Sequence, residues 1–261
     1  MNQDPFADTP RPALTAGAAP PPPWGLLPSI AWGAAGFCIW FGAQFAVILL
    51  YVMTRDPADA DAANPQALAT NGYLLALVTI VSGPAWIALL AFAARLRGWR
   101  VADYLALVAP RRSEFAVGFA CMAGLLVAID LLTYAFGGDV VPTFMLESYK
   151  TARASGSLVL FFIAVVFIGP ITEEIVFRGF LFRGLSASFL GVAGTLIVTS
   201  VAWALMHVQY EALLIGQIVL IGLVLGWLRW ASGSTLLTII LHVMTNFVAC
   251  VQAAIKVEWM S

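Results

Sequence analysis

The stretch LVLFFIAVVFIGPITEEIVFRGFLF, residues 158–182, decides how this chain is read. A spanning helix needs ~20 predominantly apolar residues, and this run is long enough. Yet Glu173, Glu174 and Arg178 interrupt it. An ionisable side chain at membrane depth is costly, so each such residue is by default a hypothesis about function.

The rest of the sequence agrees with a bilayer setting. The 261 residues are 61% hydrophobic and only 10% charged, where soluble domains carry about a quarter charged residues. That identifies an integral membrane protein. A net charge of −1 says nothing useful about nucleic acid or acidic substrates, and no nucleic-acid partner is expected. Cys38, Cys121 and Cys250 lie inside apolar runs without metal or redox spacing and read as small packing residues.

Seven apolar runs are candidates for spans, over 29–53, 72–95, 114–136, 158–182, 189–208, 211–230 and 234–255. Inside lipid only helices and closed barrels satisfy their backbone, and these runs are too long and continuous for barrel strands. The fold expected is therefore all-α, a polytopic transmembrane helical bundle of about seven spans. Residues 1–28 read as a disordered Pro/Ala-rich tail, 29–140 as three N-terminal helices, and 141–255 as a core with four helices. Within 141–157 either a short interfacial helix, with Phe144, Met145 and Tyr149 on its apolar side, or a plain loop would fit. Arg95, Arg97, Arg100, Arg111 and Arg112 crowd the connection after the second span, which should face the cytoplasm; the N-terminus is then inside and the C-terminus outside.

The polar groups within the spans are few. On a helix, Glu174 and Arg178 are four apart on one face, acid before base, and can neutralise one another. Glu173 points roughly 100° away, which makes it the working carboxylate. The fifth span places Trp203 one turn before His207. The seventh carries His242 and Asn246, again four apart. Those are the only two histidines in the protein. Asp130, near the end of the third span, reads as a headgroup-level residue or as part of a cavity lining.

A carboxylate, two imidazoles and an amide on three helices are the groups that water-mediated acyl hydrolysis needs. A carboxylate with a histidine can hold and deprotonate water, and a second histidine with an asparagine can donate to an oxyanion. Other readings stay open. The groups could be interhelical glue, or His207, His242 and a glutamate could ligate catalytic zinc, although no HExxH is present. The chain could also be a non-proteolytic partner, immunity factor or scaffold. Gly83-Pro84 and Gly169-Pro170 interrupt two spans as in some transporters, but no internal repeat supports that reading.

EExxxR at Glu173, Glu174 and Arg178, an aromatic-xxx-H at Trp203 and His207, and HxxxN at His242 and Asn246 follow one another in the order of a known family. The chain resembles the CPBP intramembrane glutamic endopeptidases, which include CAAX prenyl proteases and bacteriocin-processing proteins. FRGFLF and SGSTLLTIILH add to the likeness, which covers roughly residues 155–250. The resemblance implies that Glu173 is the general base and that His207 helps it bind the attacking water. It also implies that His242 and Asn246 form the oxyanion hole, and that Glu174, Arg178 and Trp203 support them. Trp203 stands where phenylalanine is commoner. The implied substrate is a membrane-embedded or lipidated peptide or protein, cut without cofactor or metal. A bacterial source would place the enzyme in the plasma (inner) membrane.

Overall fold

A computed structural model describes residues 21–56 and 63–260, so residues 1–20 of the expected tail lie outside it. Among the described residues the chain is all helical. In chain order the main helices are α1 (Leu26–Met53), α2 (Gly72–Leu96), α3 (Arg112–Ala135), α4 (Thr143–Ala154), α5 (Leu158–Ser186), α6 (Gly191–Ala204), α7 (Ala212–Ser232) and α8 (Thr235–Trp259). Single turns lie at Pro65–Ala69 and Val101–Tyr104. All the main helices except α4 and α6 are long and apolar enough to cross a membrane, and α6 is a shorter apolar helix. The protein is an integral membrane bundle. Its outer helices present side chains such as Phe41, Phe45, Leu131 and Phe247 outward, where only lipid could solvate them.

The elements form where the pattern of apolar residues placed them, with two informative differences. First, α6 was expected over 189–208 but ends at Ala204, after 14 residues. At 1.5 Å per residue it rises ~21 Å, less than the ~30 Å hydrocarbon core. His207 therefore lies in the connection after the helix and not in its last turn. Second, α4 forms, but Met145 and Tyr149 turn inward and pack against α2 and α8. Its apolar side faces protein.

One end of the bundle is tied through the connection between α2 and α3. Arg183, near the end of α5, donates from Nη2 to the Asp103 carbonyl at 2.7 Å, and Thr235 at the start of α8 donates from Oγ1 to the Leu105 carbonyl at 2.6 Å. Residues 21–25 lie against α2, where Trp24 Nε1 donates to the Ala93 carbonyl at 3.0 Å. Close approach needs glycine at two places along α2. A Cβ on Gly36 of α1 would fall 2.0 Å from Trp86 Nε1, and one on Gly83 would fall 2.5 Å from Thr172 Oγ1 of α5. The second contact presses α2 onto the turn that carries the two glutamates.

Helix α5 is not a regular α-helix. Its hydrogen bonding widens to π geometry over Ile163–Ile168 and again over Ile175–Leu181, on either side of Gly169–Glu174. The first widening has a cause in Pro170. The Gly169 N–H bonds the Ala164 carbonyl, five residues back. The next acceptor in that register is Val165, whose partner would be the missing N–H of Pro170. Asn246 of α8 supplies the bond instead, donating from Nδ2 to the Val165 carbonyl at 2.9 Å. Such π segments are frequent at functional sites.

Candidate active site

Glu173 and Glu174 are neighbours with opposite surroundings. Glu174 is completely buried. Its Oε1 accepts from Arg178 Nη1 at 2.7 Å, one turn later on the same helix, and lies 3.0 Å from His242 Nδ1 on α8. Arg178 is completely buried as well. Its Nη2 donates to the Gly222 carbonyl of α7 at 3.1 Å, and the guanidinium carbon lies 4.7 Å from the centroid of the Trp203 ring. Arg229 Nε donates to the Arg178 carbonyl at 2.9 Å. The pair expected from the i,i+4 spacing is thus present, and it also locks α5 to α6, α7 and α8. Two charges out of water are tolerable only when held and hydrogen-bonded in this way.

Glu173 turns the other way, onto a cavity of about 550 Å³ between the helices. Its side chain keeps 24% exposure. Oε2 accepts from Trp203 Nε1 at 2.6 Å and stands 3.9 Å from His242 Nε2. A short hydrogen bond from the indole holds the carboxylate in place. Trp203 matters here as a hydrogen-bond donor as well as a packing ring.

Both imidazoles line the same cavity. His207 Nδ1 lies 3.1 Å from the Trp203 carbonyl, one turn back. A carbonyl can only accept, so Nδ1 carries the proton and Nε2 of neutral His207 is left as an acceptor. The rings of Trp203 and His207 meet edge to face at 5.3 Å, and those of Trp203 and His242 at 5.2 Å, so the indole sits between the histidines. The same accounting applies to His242. With Nδ1–H committed to the Glu174 carboxylate, Nε2 donates only when the ring is an imidazolium. In that state Glu173, Glu174, Arg178 and His242 sum to zero charge.

The structure therefore brings Glu173, Trp203 and His242 into direct or near contact and places His207 beside them through Trp203. Asn246 lines the cavity too, with one amide hydrogen spent on Val165 and the other left over. Some lining residues were not singled out from the sequence. Tyr210 stacks on His207 at 6.2 Å between ring centroids and meets Phe144 of α4 edge to face at 5.7 Å. Asp130, one of the residues the sequence did single out, lines the cavity and accepts from Gln252 Nε2 at 2.7 Å. Among the described residues no three His, Cys, Asp or Glu side chains converge as a metal ion would require.

Comparison with known proteins adds a family likeness over part of the chain. Residues 155–248 match the Rce1-like family model, described as type II CAAX prenyl endopeptidase Rce1-like. The matched stretch runs from the turn before α5 past Asn246 in α8, and it is the CAAX-protease family that the sequence motifs resemble. The match supports a membrane endopeptidase of the CAAX type. No curated protein and no solved structure matches the chain.

Proposed function

We propose that the protein is a glutamate-dependent intramembrane endopeptidase that hydrolyses a peptide bond of a membrane-embedded or lipidated substrate. The observation that carries the proposal is the division of labour between adjacent carboxylates. Glu174 is consumed by Arg178 and His242, while Glu173 faces the cavity, held by a single indole N–H.

In this reading a water molecule lies between Glu173 and the Nε2 lone pair of His207. Glu173 takes its proton as the oxygen attacks the scissile carbonyl carbon. The carbonyl electrons move onto oxygen, where imidazolium His242 and the remaining N–H of Asn246 donate to the developing charge. The intermediate collapses with cleavage of the C–N bond, and Glu173 returns the proton to the departing nitrogen. The products are a new carboxylic acid and a new amine, which exchange the remaining proton to become carboxylate and ammonium. Glu174 acts on the reaction through His242, holding its ring by Nδ1–H.

The test compares peptide termini in membranes with wild-type protein, with Glu173→Gln at matched expression, and with neither. New paired N- and C-termini should occur with wild type alone. Termini equally abundant with Glu173→Gln would refute the assignment of the base.

A further inference from the structure

The cavity continues beyond the catalytic layer to a second polar group that hydrolysis does not use. Gln252 follows His242 by ten residues on α8, ~15 Å further along the helix axis. There Asp130 of α3 accepts from Gln252 Nε2 at 2.7 Å, and Gln217 of α7 donates from Nε2 to Thr133 Oγ1 at 3.0 Å, one turn along α3 from Asp130. Asp130, Gln217 and Gln252 all line the cavity. Three other carboxylates at this end of the bundle have basic partners: Asp139 with Lys256 at 2.7 Å, Glu147 with Lys150 at 2.8 Å, and Glu258 with Arg153 at 2.7 Å. Asp130 has none among the described residues.

The Asp130 carboxylate sets the chemistry of this group. Each amide nitrogen spends one hydrogen on a protein acceptor and keeps a second, and the Gln217 and Gln252 carbonyl oxygens and the second Asp130 oxygen stay open to a guest. The one charged group among them is an acceptor, and it suits a positively charged donor such as an ammonium or guanidinium. A carboxylate inside an apolar span is kept ionised at least cost when such a partner arrives.

We propose that Asp130, with Gln217 and Gln252, forms a specificity subsite at the far end of the catalytic cavity that receives a cationic group of the peptide substrate. An extended chain advances ~3.3 Å per residue, so the separation along α8 sets the cation roughly four to five residues from the scissile bond. The peptide nature of the ligand rests on the endopeptidase reading, and the test is therefore one of binding, scored without turnover.

Full-length Glu173→Gln in detergent is titrated with fluorescent, N-acetylated apolar octapeptides bearing a single lysine or norleucine in its place. A norleucine octapeptide with a free N-terminus and a C-terminal fluorophore distinguishes a side-chain ammonium from a terminal one. A peptide carrying either ammonium should bind at least ten-fold more tightly than the acetylated norleucine peptide. Adding Asp130→Asn should erase that ratio, and Asp130→Glu, which keeps the charge, should restore most of it. Equal affinities, absence of binding, or a ratio that survives Asp130→Asn would overturn the subsite. Whether wild-type protein cuts the lysine peptide is read separately, so a failure of catalysis is not confused with a failure of recognition.

Discussion

Helices α1 and α5 are alike by length and hydropathy and opposite in what they do. α1 has 28 residues and a mean hydropathy of 1.9 in its most apolar window, and 6% of that window is buried; α5 has 29 residues and 2.2, with 44% buried. Hydropathy identifies both as spans and says nothing about which is central. The difference lies in the residues that break the apolar run. α1 carries no Asp, Glu, Lys, Arg or His and turns Phe37, Phe41 and Phe45 outward. α5 carries four, Arg183 among them, and a helix with Glu173, Glu174 and Arg178 can exist in a membrane only if other helices surround it with donors and acceptors. The polar residues that look misplaced in the sequence are the reason α5 is the core.

That comparison can be broken most severely at Arg178. Replacing it with leucine leaves Glu174 buried with only His242 beside it, and loss of one member of such a pair costs about 3–5 kcal/mol. Thermal unfolding in detergent should show a large fall in Tm. Pairing Arg178→Leu with Glu174→Gln should recover part of it, and an unchanged Tm in the single variant would show that the pair does not hold α5 in place.

Asn246→Leu tests a smaller effect with two readouts. Loss of an oxyanion donor lowers kcat by about 10²–10³-fold. The orphaned Val165 carbonyl should cost about 1–3 kcal/mol of stability besides. Stability lost with cleavage intact would assign Asn246 to the π turn alone. On the α1 side, Gly36→Ala drives a methyl into Trp86, and such overpacking costs about 1–3 kcal/mol. Smallest of all should be Phe41→Ala in α1, a ring that is 60% exposed, with an effect within about 0.5 kcal/mol. A large effect at Phe41 would mean that this face packs against something other than lipid.

Much of this was legible before any coordinates. The i,i+4 rule pairs Glu174 with Arg178 and turns Glu173 elsewhere, and both relations hold because they depend only on helix geometry. The spans were legible because length and apolarity are local properties. The Glu174–His242 contact joins residues 68 apart and no local pattern encodes it. The same is true of the indole of Trp203 bonded to Glu173 across 30 residues, although an aromatic one turn before His207 marked the position. The early end of α6 was hidden because Leu205 and Met206 continue the apolar run past the last helical turn. Asp130 was ambiguous for a related reason: depth along a span can be counted, but the neighbours on other helices cannot.

The central claim is that adjacent glutamates divide into a base and a brace. It is tested most directly by measuring both cleavage and unfolding for Glu173→Gln and Glu174→Gln in purified protein. The substrate should be a peptide that wild-type membranes cut and membranes lacking the protein do not. The account predicts that Glu173→Gln unfolds at nearly the wild-type temperature and cleaves nothing, while Glu174→Gln unfolds at a clearly lower temperature. Cleavage by Glu173→Gln at the wild-type rate would contradict it.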